Sequence, residues 1–229
     1  MGNTREPVQA SYCWDRYGWV LDSTIEWFSK RGAGYRVVPW RYGFLERYIR
    51  GYVVDLGCGV AATSKYYLNR GLAKRLVLID MSHSSLLAAC RDNPVISCIC
   101  SDILSTPFRD NVFDTVLLLA VLHHIPDELC RRRLLWESHR ILRRGGYVVV
   151  TVWNPDLELL MDKYVLERVE NRGYVLVDKS GRRYYYFYRG EELVRDVSSY
   201  FRVVEEGVFI QSPSNPRLTR NLYVVGVKE

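Results

Sequence analysis

The sequence predicts a doubly wound α/β fold: a seven-stranded, mostly parallel sheet whose last strand is antiparallel. Three observations carry this. Short apolar runs ("YVVDL", "RLVLID", "VISCIC", "VFDTVLLLA" and "GYVVVTVW") recur between Tyr52 and Trp153, separated by helix-length stretches. Strand alternating with helix implies a parallel sheet covered on both faces. The first run breaks directly into Asp55-Leu56-Gly57-Cys58-Gly59, a glycine turn that feeds the next helix. The last two runs, Phe201–Ile210 and Asn221–Val227, lie too close together for a crossover helix and must be antiparallel.

The remaining elements follow in order. Residues 1–50 read as a helical cap: "YCWDRYGWVLDSTIEWFSKR" and "RVVPWRYGFLERYIR" both predict helices, split by a turn at Gly32-Ala33-Gly34. Pro126 with Asp127 and Glu128 predicts a helix start, because proline suits the first turn and acids suit its dipole. That helix is expected to end at Gly145-Gly146, after Arg143-Arg144. Residues 154–189 read as an insertion between the fifth and sixth strands, and a helix is expected near Glu191–Ser198. With no repeat and no low-complexity linker, the whole of 1–229 is expected to be one domain.

Composition narrows the class. A chain that is 48% hydrophobic and 25% charged is ordinary for a globular protein, and no apolar run is long enough to span a bilayer. "MGNTREPVQA" lacks an apolar signal core, so a cytoplasmic location is expected and membrane partners are not. None of the six cysteines forms a C-x-x-C pair, which gives no reason to expect a metal site. Buried thiols are the expectation for them, with disulfides the alternative in a hyperthermophile. Only two glutamines, Gln9 and Gln211, are present, which suits a thermophilic source. The net charge of +6, with arginine clusters at 131–133, 143–144 and 182–183, favours a polyanionic partner, although any one cluster can equally be a solvated, salt-bridged face.

In a doubly wound sheet, ligands bind beyond the carboxyl ends of the strands. The first strand ends in the Asp55–Gly59 loop, the second at Asp80, the third at Ser101-Asp102, and the fourth at Ala120, just before His123 and His124. An acid at Asp80, 25 residues after Asp55, can hold two ribose hydroxyls, while Asp102 can accept from an adenine amino group. One such acid is commonly a cap or turn residue. Four suggestive strand ends together point to a nucleoside-bearing ligand.

"VVDLGCGVA", "LIDMS", "SDILSTPFRDNVFD", "LAVLHHI" and "ESHRILRRGGYVVVTVW" resemble the ordered motifs of the class I S-adenosylmethionine-dependent methyltransferases, which have a Rossmann-like sheet. The resemblance implies that Asp55, Gly57, Cys58 and Gly59 hold the methionine moiety of S-adenosylmethionine, that Asp80 holds the ribose, and that Met81 belongs to the same cofactor site. It likewise puts Asp102 and Ile103 at the adenine and Ala120 at the amino acid end. The class alone leaves the substrate open. The loop after strand four lacks the Asn/Asp-Pro-Pro-aromatic pattern of exocyclic-amine enzymes. It also lacks the cysteine nucleophile that carbon-5 methylation of a pyrimidine requires and the paired glutamates of protein arginine enzymes.

Outside the core, "YRVVPW" (Tyr35–Trp40), "LAVLHHI" and "RRYYYFYRGEEL" (Arg182–Leu193) resemble the tRNA wobble-uridine carboxymethyl methyltransferases, with an archaeal source expected. These form the methyl ester of 5-carboxymethyluridine at the anticodon wobble position, and members work with a small zinc-containing activator. The chain departs from them in the second glutamate of "RGEEL" and in Arg220-Asn221-Leu222-Tyr223, where the family carries an Asp-Asn-Trp-Trp-like stretch. A carboxylate nucleophile is already ionised and needs no general base. Arg36 and Arg183 suit its orientation, since a guanidinium binds a carboxylate in a planar fork. His124 is expected to face the methyl-transfer pocket, and His123 to turn away and support the loop. Tyr184, Tyr185, Tyr186 and Tyr188 are read either as a base-stacking substrate lid or as ordinary strand packing, with Tyr184 among the catalytic candidates. Trp40 and Trp153 are read as core, with the pocket lining as the alternative. The apolar "VISCIC" edge is the expected docking surface for the activator. Two other readings stay in view. One is a small-molecule methyltransferase acting on a quinone or lipid precursor, which "AVLHH" alone fits equally well. The other is a non-catalytic scaffold, against which the intact strand-end acids argue.

Overall fold

A computed structural model describes residues 7–31, 38–90 and 93–229 of the chain. Its central sheet has seven strands in the order β3-β2-β1-β4-β5-β10-β9. These are β1 (Gly51–Leu56), β2 (Ala73–Asp80), β3 (Ile96–Cys100), β4 (Phe113–Leu119), β5 (Leu142–Trp153), β9 (Arg202–Ile210) and β10 (Arg220–Val227). Strands β1 to β5 pair in parallel, and β10 runs antiparallel to both of its neighbours, as the short connection requires. The strand order reverses between β1 and β4, and this switch point opens the crevice at their carboxyl ends.

Side-chain alternation divides the core between the two faces. Val54, Val77, Val116 and Val150 pack on one side with α1 (Ala10–Arg31), α5 (Glu128–Ile141) and α7 (Gly190–Ser198). Val53, Leu76, Leu117 and Val149 pack on the other with α2 (Gly43–Tyr48), α3 (Ala62–Asn69) and α4 (His83–Ala89). Among the described residues no helix is long and apolar enough to cross a membrane.

Three expectations need correction. The second N-terminal helix covers only Gly43–Tyr48. Residues 38–42 are not helical, because Pro39 disfavours the helical conformation in the residue before it. The Gly32-Ala33-Gly34 turn lies outside the described residues. Helix α5 starts one residue after Asp127, whose carboxylate caps it by accepting from the Leu129 N–H at 2.7 Å. It gives way to β5 at Leu142, before the glycine pair. The arginine triplet is not a solvated face: Arg131 and Arg133 are 3% and 5% exposed. Arg131 lies 3.6 Å from the ring centre of Tyr186 and pairs with Glu170 at 3.1 Å, and the Arg133 Nε donates to the Leu104 carbonyl at 2.7 Å.

Four of the six cysteines pair, so the disulfide alternative replaces the buried-thiol expectation for them. Cys13 of α1 bonds Cys130 of α5, and Cys90 at the end of α4 bonds Cys98 of β3, with Cα separations of 5.8 and 6.2 Å. Cys58 and Cys100 are free.

The insertion forms α6 (Leu157–Met161) and an antiparallel three-stranded sheet of β6 (Val165–Arg168), β7 (Gly173–Asp178) and β8 (Gly181–Tyr186). It is bound tightly to the core. The Tyr184 N–H donates to Thr24 Oγ1 of α1 at 3.0 Å. Glu170 accepts from Arg131, from the Asp127 N–H and from the Tyr184 phenol.

Candidate active site

A cleft of about 600 Å³ opens at the carboxyl ends of β1, β2, β4 and β5, walled by α1 and β8. Its floor is the β1–α3 turn. The Gly57 and Cys58 N–H groups both donate to the Ile79 carbonyl, at 2.8 and 3.0 Å, and the Gly59 N–H donates to Asp80 Oδ2 at 2.8 Å. Gly57 has φ +72°, and a Cβ there would lie 2.8 Å from a Val121 methyl, so glycine is required by conformation and by space. Helix α3 begins at Ala61, itself left-handed at φ 54° and without a side-chain cap. Its first N–H groups therefore face the cleft through Ala61, Ala62 and Thr63.

Two carboxylates sit on this floor. Asp80 accepts from the Gly59 and Ser82 N–H groups, both at 2.8 Å, yet burial still raises its pKa. Asp55 is 4% exposed. Burial pushes its pKa up to about 7, the Ser64 hydroxyl works against the shift, and nearby Asp80 adds to it. The indole N–H of Trp40, also in the lining, is buried without a partner. Two desolvated acids, an unpartnered donor and an open helix start suit a ligand that carries positive charge, hydroxyl groups and a carboxylate.

Farther along, the Asp102 carboxylate is already engaged: Oδ2 accepts from the Trp14 indole at 2.7 Å and Oδ1 from the Leu104 N–H at 2.8 Å. Ile103 and Met81 line the cleft beside it, with Met81 38% exposed. Ala120 is left-handed at φ 59°, and its N–H is shared between the carbonyl and hydroxyl of Thr151, at 3.1 and 2.9 Å. Strain of this kind concentrates where backbone must meet a ligand. The Cys58 thiol has its pKa raised first by burial and then by Asp55 and Asp80, which makes it a poor nucleophile.

Both histidines line the cleft, so the expectation that His123 turns away is corrected. They occupy a single 3₁₀ turn, Leu122–His124, that carries the chain out of β4. His123 Nδ1 accepts from the Trp153 N–H at 3.1 Å, and His124 Nδ1 donates to the Tyr184 carbonyl at 2.7 Å. Burial lowers both pKa values, that of His124 to about 4, and both imidazoles are neutral at physiological pH.

The tyrosine run resolves by strand alternation. Arg183 and Tyr185 face the cleft, whereas Tyr184, Tyr186 and Tyr188 face the core. Tyr184 is fully buried, and it meets the site only through its backbone. Its side chain cannot touch a ligand in the cleft, which corrects its place among the catalytic candidates, and a base-stacking role for the three core-facing tyrosines falls with it. Arg183 lies over the Trp27 ring at 3.8 Å, donates from Nη1 to Asp178 at 2.6 Å and from Nε to the Tyr185 hydroxyl at 3.0 Å. Arg36 lies outside the described residues. Trp40 and Trp153 both line the cleft. Sequence reading missed Thr24 and Phe28 of α1 and Thr219 and Asn221 before and in β10. The apolar stripe of α1 was a usable signal. For the β10 residues there was none, because their place in the cleft depends on how the β9–β10 connection folds back.

Comparison with known proteins agrees with this geometry. Residues 54–150 match the family described as a methyltransferase domain. The chain is 35% identical over 144 residues to the tRNA (carboxymethyluridine(34)-5-O)-methyltransferase of Xenopus tropicalis, a match that covers 60% of this chain and 22% of that protein. It is 32% identical over 116 residues to the Arabidopsis thaliana protein of the same name, covering 50% and 27%. It thus spans about a quarter of the length of these curated relatives. A SAM-dependent methyltransferase from Methanosarcina mazei shares the fold with a TM-score of 0.68 at 18% identity, over 82% of this chain and 98% of that one. A complex between the Haloferax volcanii Trm112 methyltransferase activator and a methyltransferase gives 0.58 at 16%, over 95% and 94%.

The fold is thus that of the class I methyltransferases, and residues 54–150, which supply most of the cleft floor, match a methyltransferase domain. Within that class the chain resembles the tRNA wobble-uridine methyltransferases.

Proposed function

We propose that the chain transfers a methyl group from S-adenosylmethionine to the carboxylate of a 5-carboxymethyluridine-type base at wobble position 34 of tRNA, in a cytoplasmic setting. The observation that carries this reading is the character of the β8 and histidine wall. Its two imidazoles are neutral and poorly basic, and its cation, Arg183, is held in place by Asp178. A site with weak bases suits a nucleophile that arrives already ionised, which a carboxylate is and an alcohol is not.

When bound, S-adenosylmethionine supplies an electrophilic methyl on a sulfonium. Asp80 would accept from the ribose hydroxyls through lone pairs left free by the Gly59 and Ser82 N–H groups. Asp55 with the Gly57–Gly59 turn lies along the cationic amino acid portion. The start of α3 and the Trp40 indole would hold its carboxylate, with Ala120 at the same end. Asp102 and Ile103 would hold the adenine, with Met81 beside them in the lining. Arg183 holds its Nε on Tyr185 and one Nη1 N–H on Asp178, which fixes the guanidinium and leaves its remaining N–H groups to orient the substrate carboxylate. Arg36 is retained as a second orienting cation, and His124 as a substrate-facing group. The anticodon loop of tRNA is the proposed partner, favoured by the net charge of +6. A small zinc-containing activator is proposed at β3. This strand is an outer edge of the sheet, with Val95 at its start 42% exposed and Leu87 of neighbouring α4 58% exposed. Full solubility and activity of the purified chain alone would remove that partner.

The reading is tested with methyl-labelled S-adenosylmethionine, the purified protein and tRNA from cells lacking its gene, followed by mild alkali. Label that enters the tRNA and leaves as methanol supports an ester. Label stable to alkali moves the reaction to nitrogen, carbon or ribose. No incorporation, even with the activator added, points to a small-molecule acceptor.

Asp55 adds a pH prediction. In the empty cleft its pKa is about 7, and a cationic ligand favours the ionised form. Affinity for S-adenosylmethionine is therefore full above pH 7 and falls, approaching tenfold per unit, as pH drops below it. Calorimetry across this range reads the slope together with proton release on binding. An affinity flat from pH 5 to 8 would exclude Asp55 from contact with the charged moiety.

A further inference from the structure

The two histidines differ in one respect that their adjacency hides. His123 Nδ1 accepts a backbone N–H, so its proton sits on Nε2. His124 Nδ1 donates to a backbone carbonyl, so its Nε2 carries a lone pair. These tautomers are set by main-chain groups of Trp153 and Tyr184 and cannot exchange without breaking both bonds. Neither Nε2 has a partner among the described residues, and both rings line the cleft with centroids 4.3 Å apart. Tyr185 packs against both rings, at 5.4 and 4.6 Å, and Phe28 against His124 at 5.0 Å, which fixes their orientation. Burial keeps both uncharged. The cleft lining therefore holds, side by side, one imidazole whose remaining nitrogen is a donor and one whose remaining nitrogen is an acceptor.

We propose that His123 and His124 read the N3–H/O4 edge of the target uracil, with the Nε2–H of His123 donating to O4 and the Nε2 of His124 accepting from N3–H. This rests on the uridine reading above and deepens it: Arg183 would orient the carboxylate, while the histidine pair would select the ring. A lactam edge offers one acceptor beside one donor, and two neutral, tautomer-locked imidazoles match it. A pair of protonated histidines would reject N3–H.

The test uses anticodon stem-loop RNAs carrying 5-carboxymethyluridine, its N3-methyl derivative or its 4-thio derivative. Asparagine keeps an atom at the Nδ1 position and deletes Nε2, so H123N and H124N retain the wall hydrogen bonds, and melting temperatures check that they fold. Wild type should prefer the parent RNA over the N3-methyl RNA by about tenfold or more in kcat/KM, as expected for leaving a buried partner unsatisfied. H124N should lose that preference while keeping its affinity for S-adenosylmethionine. H123N should lose the discrimination against the 4-thio RNA, which gives an independent arm if H124N fails to fold. Equal turnover of parent and derivatives by wild type would overturn the inference and leave the carboxymethyl reading standing, as would discrimination that survives in both variants. If wild type turns over none of the RNAs, that reading fails and the inference falls with it.

Discussion

Glu170→Ala is expected to destabilise the fold by about 3 kcal/mol and to reduce methyl transfer far more than cofactor binding. Glu170 holds the turn between β6 and β7 against the core. It accepts from Arg131, which is 3% exposed, from the Asp127 N–H and from the Tyr184 phenol. Removing the carboxylate leaves a buried guanidinium with the Ile125 carbonyl and the rings of Tyr186 and Tyr188, and takes from the buried Tyr184 hydroxyl its acceptor. The functional consequence runs through Tyr184, because its carbonyl holds His124 and its N–H is tied to Thr24. A β8 that drifts from α1 releases the histidine and displaces Arg183, while Asp55, Asp80 and the Gly57 turn stay anchored in β1 and β2. Glu170→Gln keeps an acceptor and is expected to recover part of the stability. Urea denaturation gives the first effect, and single-turnover rates against calorimetric affinity give the second. Unchanged stability in Glu170→Ala would mean that the insertion is held without this network.

The distribution of legible and hidden features follows from range. Each strand end was readable because its signal is local: an apolar run broken by glycine or acid needs only its own neighbours to be recognised. The antiparallel β10 followed from its short connection to β9, whereas the order of the strands did not. Features set by distant partners were hidden. Tyr184 and Tyr185 are chemically identical in sequence, and only the side on which β8 meets α1 decides which one sees the cleft. Arg131 and Arg133 look like surface charge until Glu170, 39 residues away from Arg131, and the Leu104 carbonyl are brought to them. The His123 tautomer depends on a backbone N–H 30 residues downstream. Local chemistry thus located the half of the cleft built by the strand ends, whereas the half built by the insertion had to be seen folded.

Opening the Cys13–Cys130 bond should have the largest effect on stability of any single covalent change. The bond closes a span of 117 residues, and chain-entropy arguments give roughly 4–5 kcal/mol for a loop of that order. Cys90–Cys98 closes a span of only 8, for which the same relation gives about 2–3 kcal/mol. Cys13→Ser should therefore lower the melting temperature more than Cys90→Ser, and reductant should act on wild type much as both substitutions together. The consequence extends to the cleft because of what α1 carries. Trp14, the next residue after Cys13, donates to Asp102, and Thr24 and Phe28 on the same helix meet β8 and His124. Freed from α5, the start of α1 loses its covalent hold beneath the adenine side, so affinity for S-adenosylmethionine should weaken in Cys13→Ser and stay near wild type in Cys90→Ser. Thiol titration of the unfolded, unreduced protein provides the direct check. Two reactive thiols, Cys58 and Cys100, are expected. Six would mean that the cysteines pack as thiols and that α1 is held by its apolar face and its hydrogen bonds, without a covalent tie.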